Sequence, residues 1–173
     1  MLFKRKNEDV APEAEQAPAA QQDAPSLDDT QAVLRDDLEL YHLWYFDLRL
    51  DEELARAARI SSAFSIATWR LRLLPGEAPE PEVLRRAAGL IRDGLRGCDI
   101  PARFDNERFI AILFDAEFDA ASTVAFRIKG DLQVRVQSVG RWQAGIATFQ
   151  RDGVDGQGLI HAAFRRLDER QAA

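Results

Sequence analysis

At 173 residues and 46% hydrophobic content, the chain is long enough to bury one core but short for two independent domains. Its 23 basic and 29 acidic residues leave a net charge of −6, which gives no general attraction to nucleic acid or anionic lipid, since both reward clustered Lys and Arg. A single cysteine, Cys98, excludes an internal disulfide, and with only His42 and His161 beside it a Cys/His metal site has too few ligands.

The opening "MLFKRK" is basic but is followed by no apolar segment, so it does not read as a signal peptide. No run approaches the length needed to span a bilayer, and a cytoplasmic location is expected. From Asn7 to Pro25, "NEDVAPEAEQAPAAQQDAP" holds almost nothing large to bury, so residues 1–25 are expected to be a disordered tail. Residues 26–60 read as an N-terminal helical segment. Ser26 or Asp28 can cap it near Asp29, and Val33, Leu34, Leu38, Tyr41, Leu43, Trp44, Leu48 and Leu54 carry it, with a break, toward Arg59. Its apolar middle, "LELYHLWYF", is expected to pack on the domain or on a partner, helix core being the simpler role for Trp44.

Residues 61–170 read as one domain. "AFSIATWRLRL", Ala63 to Leu73, ends in clean alternation and is predicted as the first strand. "LPGEAPEPE" is a loop, and Pro81 opens a helix through Val83, Leu84, Ala87, Leu90, Ile91 and Leu95 that ends near Gly97. "ARFDNERFIAILFD", Ala102 to Asp115, then reads as a hairpin whose second strand is apolar on both faces and therefore central. Asp115 or Asp119 starts the next helix, through Val124, Ala125 and Ile128, with Gly130 as its stop. Two alternating runs follow, "LQVRVQSV" and "RWQAGIATF", joined by a turn at Gly140, and a last helix covers Gly158 to Arg170. The order, a long helix and then β-α-β-β-α-β-β-α, predicts an α+β protein. It would be a ferredoxin-like two-layer sandwich, an antiparallel sheet with its helices on one face.

Several of these segments together resemble the GGDEF domain of diguanylate cyclases. Arg103 matches the Arg two residues before that family's signature hairpin, and Asp105, Asn106, Glu107, Arg108 and Phe109 stand where it has Gly-Gly-Asp/Glu-Glu-Phe. "GIATF" from Gly145 is similar to the family's Gly-Ile-Ala strand, "HAAFRRLDE" from His161 to its closing helix, and "LDEELARAARISSAFSI" to its opening helix and first strand. The resemblance runs from about Tyr45 to Arg170 in the correct order.

The resemblance implies a chemistry whose parts are altered here. In the family two GTP-loaded domains face each other, carboxylates hold two metal ions against the triphosphate, and each 3′-hydroxyl attacks the other α-phosphate. Where the family has a metal-binding Asp at the end of its first strand, this chain has Arg70, Leu71 and Arg72. An arginine cannot ligate a cation. The turn glycines, which admit phosphate to backbone amides, are replaced by Asp105 and Asn106; Glu107 keeps the first acid and Arg108 replaces the second. The guanine-reading Asn and Asp residues of the family's first loop have no counterpart in "LPGEAPEPE". A catalytically inactive domain with no metal and no cofactor is therefore expected.

Many family members also bind their product, cyclic di-GMP, through an Arg-x-x-Asp motif before the hairpin, and Arg96 and Asp99 stand at that distance. The leading expectation is a regulatory or scaffolding module in bacterial signalling, with cyclic di-GMP as its candidate ligand and a protein partner or a second copy held through the N-terminal helix. The alternatives are a divergent nucleotidyl cyclase using Glu107, a pure protein-interaction domain, or an unrelated sandwich of the same fold. Arg70 and Arg72 fit either a solvated or carboxylate-paired strand face or an anion patch, Glu107 an ordinary turn acid, and His161 helix packing.

Overall fold

The structure, a computed structural model, describes residues 33–136 and 140–169. In chain order its elements are α1 (Leu43–Ile60), β1 (Phe64–Arg72), α2 (Pro81–Gly94), β2 (Ile100–Arg103), β3 (Arg108–Phe114), α3 (Phe118–Arg135), β4 (Arg141–Thr148) and α4 (Gly156–Glu169). The strands form an antiparallel sheet in the order β2-β3-β1-β4. The α+β class and the βαββαβ core are as the sequence predicts.

Alternation along β1 sends side chains to two separate cores. Ala67, Trp69 and Leu71 join Phe109, Ala111, Leu113, Trp142, Ala144 and Ile146 beneath α2 and α3, which add Leu84, Ile91, Ala125, Ile128 and Leu132. Phe64 and Ile66 point the other way, with Ile110, Ile112 and Ala147, and meet Phe46 and Leu50 of α1 and Leu159 and Ala163 of α4. Helices on one face alone were expected. That holds for the two crossover helices, but α1 and α4 cover the opposite face, making three layers. The near-continuous burial of β1 and β3 is the reason: each is apolar on both sides, so both sides must be covered.

The second correction concerns "LQVRVQSV". Leu132 to Arg135 is the last turn of α3, not a strand, and residues 137–139 lie outside the described residues. Leu132, Val134 and Val136 alternate in sequence as a strand would, but a strand would bury all three together, whereas Leu132 and Val136 are buried and Val134 is 80% exposed, the i, i+4 spacing of a helix. The helix wins because Ala121, Ala125, Ile128 and Leu132 already line one face at three- and four-residue intervals. Gly130 does not stop it: a mid-helix glycine costs only about 1 kcal/mol, less than burying Leu132 gains. Among smaller differences, α2 ends at Gly94 rather than near Gly97, and α4 starts at Gly156.

The expected break in the N-terminal segment spans Arg35 to His42. Here Leu38 and Leu40 leave helical periodicity and enter the α2–α3 core, whereas α1 packs on the other face. The strap between them runs past the edge of the sheet. The Tyr41 amide donates to Pro101 O at 2.9 Å, and Tyr41 bridges Ala102 of β2 in parallel. Asp36 holds its shape, Oδ1 accepting the amides of Leu38 at 3.0 Å and Leu40 at 3.1 Å. Trp44 and Leu48 remain exposed on the outer side of α1 instead of entering the core. The expected tail, residues 1–25, and the helix start near Asp29 lie outside the described residues.

α4 seats against the sheet at two points. At Gly145 a Cβ would lie 2.1 Å from Ala163 O, a backbone atom that cannot retreat cheaply. Beyond the end of β4, Arg166 donates to Asp152 Oδ1 at 2.5 Å and Oδ2 at 2.9 Å, and the Thr148 amide donates to Oδ2 at 2.8 Å. Burial opposes the charge on Asp152, but Arg166, the Thr148 amide and Arg151 outweigh it and hold the carboxyl below its ordinary range.

Gly145→Ala should therefore destabilise the fold by about 1–3 kcal/mol, read as a lowered urea midpoint at unchanged slope. The depressed Asp152 pKa means that the folded state binds fewer protons than the unfolded chain at low pH. Its contribution is complete above the ordinary carboxylate pKa of about 3.9 and is lost as pH falls through and below it. Asp152→Asn should lose about 1.5–3 kcal/mol at neutral pH and flatten the acid limb of a urea-midpoint series between neutrality and acid.

Candidate functional site

The hairpin between β2 and β3 closes without glycine. Phe104 N and Asp105 N both donate to Arg108 O, at 2.9 and 3.2 Å, and the Asp105 side chain folds back into the turn. Its Oδ1 accepts the amides of Glu107 at 2.9 Å and Arg108 at 2.8 Å, and its Oδ2 accepts Arg108 Nε at 2.6 Å. This is the local side-chain-to-backbone bonding that Asp and Asn favour in turns. Burial works against the charged form of Asp105, but the Arg108 guanidinium and the two amides prevail and hold its carboxyl below the usual range.

Arg108 is fixed on its other side by aromatic rings. Its guanidinium carbon lies 4.6 Å from the Phe104 ring centre and 4.9 Å from that of Phe164 on α4, the two rings being 4.6 Å apart. Arg103 reaches across the turn, donating to Asn106 Oδ1 at 3.0 Å and to Asp105 O at 3.3 Å. Phe109, the last residue of the motif, is fully buried against Trp142, with ring centres 6.1 Å apart.

β1 delivers Arg70 to this turn, because its register pairs Arg70 with Arg108. Arg70 Nε lies 4.0 Å from Glu107 Oε2, and the Glu107 carbonyl accepts Leu71 N at 2.9 Å. A cation and a carboxylate thus face each other beside the turn. Among the described residues, no three His, Cys, Asp or Glu side chains cluster to hold a metal. The loop after β1 turns at Gly76, with φ +90°, and Glu77 N donates to Leu74 O at 3.1 Å.

Arg96 and Asp99 lie in the turn after α2, not on a helix. Asp99 is 6% exposed and spends its carboxylate on the chain: Oδ2 accepts Arg96 N at 2.9 Å and Oδ1 accepts Phe114 N at 3.3 Å. Arg96 is exposed on the rim of a depression of about 100 Å³ that also collects Arg35, Arg92 and Tyr41. Arg92 was legible as a partner, four residues before Arg96; Arg35 was not, because the strap carries it there from far along the chain. Phe164 likewise reaches Arg108 only through tertiary packing.

No family model matches this chain, and no curated protein does. Solved structures do match it. The GGDEF domain of FimX from Pseudomonas aeruginosa superposes with a TM-score of 0.68 at 19% identity, over 79% of this chain and 92% of that one. The GGDEF domain of DgcB from Caulobacter crescentus, solved in complex with cyclic di-GMP, gives 0.69 at 18% identity, over 81% and 88%. The diguanylate cyclase SiaD from Pseudomonas aeruginosa, in complex with its activator SiaC, gives 0.69 at 20% identity, over 83% of this chain and 60% of that one. The chain therefore has the fold of the GGDEF domains, as its hairpin, its Gly-Ile-Ala strand and its closing helix suggest.

Proposed function

We propose that this chain is a GGDEF-fold regulatory or scaffolding module of bacterial signalling that does not make cyclic di-GMP. The observation that carries this reading is Asp105. Backbone amides of a glycine turn are useful to a triphosphate because nothing else claims them. Here the amides of Glu107 and Arg108 both donate to the Asp105 carboxylate, itself held by Arg108. An incoming phosphate would have to displace a carboxylate of its own charge from bonds it already makes. Charge at the metal position points the same way. Glu107 lies beside Arg70, so the pair is close to neutral and offers a divalent cation no net attraction.

A second reading concerns the ligand. The depression lined by Arg35, Arg92 and Arg96 favours a phosphate-bearing ligand, and cyclic di-GMP is the one the fold suggests. In that reading Arg96 contacts the ligand, with Arg92 and Arg35 beside it, while Asp99 shapes the turn that presents Arg96.

With GTP and magnesium the purified chain should form no cyclic di-GMP, and Asp105→Gly combined with Asn106→Gly should not restore synthesis, because Arg70 and Arg108 remain. Product from the unaltered protein would establish the divergent cyclase instead. Calorimetry with cyclic di-GMP tests the second reading. Arg96→Ala should weaken binding about tenfold to a hundredfold, whereas Glu107→Ala should leave it unchanged. A chain that takes up no cyclic di-GMP would be a module acting through protein contacts alone.

A further inference from the structure

The two edges of the sheet are finished differently. At β2 the strap supplies a main-chain partner through Tyr41. At β4 there is none among the described residues. Phe149 N donates inward to Phe64 O, so by antiparallel alternation the N–H and C=O groups of Trp142, Ala144, Ile146 and Thr148 face outward. Side chains take up part of this row. Gln133 Oε1 accepts Trp142 N at 3.0 Å, Arg166 donates to Ile146 O at 2.5 Å, and Asp152 accepts Thr148 N at 2.8 Å.

Ala144, between these caps, has no such partner among the described residues, and it lines a depression of about 100 Å³ between α3 and α4. Two further polar atoms flank the same opening. Trp142 Nε1 and Gln143 Oε1 belong to side chains that are 0% and 7% exposed, and neither has a hydrogen-bond partner among the described residues. Burying such atoms unpaired is unfavourable, and fewer than one buried group in ten is left so. The opening thus presents a donor and an acceptor on the strand edge, with an unpaired donor and acceptor buried behind them. Its rim is basic: among the described residues Lys129 and Arg141 line it and no acidic residue does, and neither cation has an ion-pair partner among them.

We propose that this stretch of β4 is a docking site for a short, extended, acidic peptide segment of a protein partner, which pairs with Ala144 as an added strand and sets carboxylates against Lys129 and Arg141. Strand addition matches the unused edge, and alternate side chains of an extended peptide point to opposite sides, toward α3 and α4. The caps at Trp142, Ile146 and Thr148 limit the pairing to a few residues and exclude a second copy of β4 laid edge to edge along its whole length. The site rests on the sheet edge alone, so it stands or falls separately from either nucleotide reading.

The test is a nuclear magnetic resonance titration of the whole chain with acetyl-Glu-Ala-Glu-Val-Glu-Ala-amide, and with the same peptide carrying Lys for Glu. The acidic peptide should give saturable shifts of the Trp142 indole N–H and the Ala144 amide, and should slow exchange of that amide. Lys129→Glu combined with Arg141→Glu, both at the rim, should leave the spectrum dispersed and weaken binding at least about tenfold. The proposal is overturned if no saturable shift reaches Trp142 and Ala144, if the lysine peptide binds as well, or if the charge-reversed protein binds as tightly as the original.

Discussion

β1 is paired along nearly its whole length on both sides, antiparallel to β3 from Phe64 to Arg70 and to β4 from Ser65 to Arg72. A strand held on both edges and buried on both faces cannot slip by one residue, because a slip would exchange its two faces. Trp69 shows the cost. Its indole N–H donates to Ala125 O of α3 at 3.0 Å, a bond within one core that the opposite face could not offer. Thr68, one residue earlier, faces α4 instead, with Oγ1 near Gly145 O and Ala163 O. Once β1 is placed, the sides taken by the crossover helices and by α1 and α4 follow, and so does the arrival of Arg70 beside the hairpin.

The hairpin illustrates how a turn closes without glycine. A glycine pair leaves amides accessible and relies on an incoming anion to use them. Asp105 supplies that anion from within the chain. The turn is self-sufficient: a carboxylate, two amides and a guanidinium satisfy one another, and the guanidinium packs against the adjoining rings of Phe104 and Phe164, so that its charge need not be solvated on every side. In the reading proposed above, the same residues that stabilise the hairpin claim the amides that a nucleotide phosphate would need. Stability and ligand access compete here for the same hydrogen-bonding groups.

The sheet edges carry the complementary lesson. An unpaired strand edge invites association, and this chain covers one with its own main chain while capping the other with side chains. Gln133, Arg166 and Asp152 come from three places along the chain, and each takes one outward group of β4. What they leave at Ala144 is small, basic at its rim and bounded by buried polar atoms. That makes it a more selective surface than the bare apolar face of Leu48 and Trp44 on α1, about which the fold says nothing of a partner.

Much of this molecule is written in local pattern. Alternation at Trp69, Leu71 and Leu73, Pro81 at a helix start, and the apolar run after Arg108 mark β1, α2 and β3 without any knowledge of the fold, because strand and helix periods are properties of the chain itself. The altered motif residues were equally legible, since a side chain's capacity to ligate, donate or accept is fixed by its identity. Where two periods coincide, local pattern has no answer: Leu132 and Val136 fit both, and only the apolar face already built by Ala125 and Ile128 chose the helix. The same holds for groups brought together across the chain. Asp99 reads as a ligand in sequence, yet tertiary structure spends it on the amides of Arg96 and Phe114; Arg35 reads as an ordinary surface cation, yet the strap carries it to Arg96. Sequence determined which chemical groups this protein owns and the local form of most of its segments. Tertiary structure alone decided which of those groups are used up by one another, because hydrogen bonds and burial depend on neighbours that the chain brings near only when it folds.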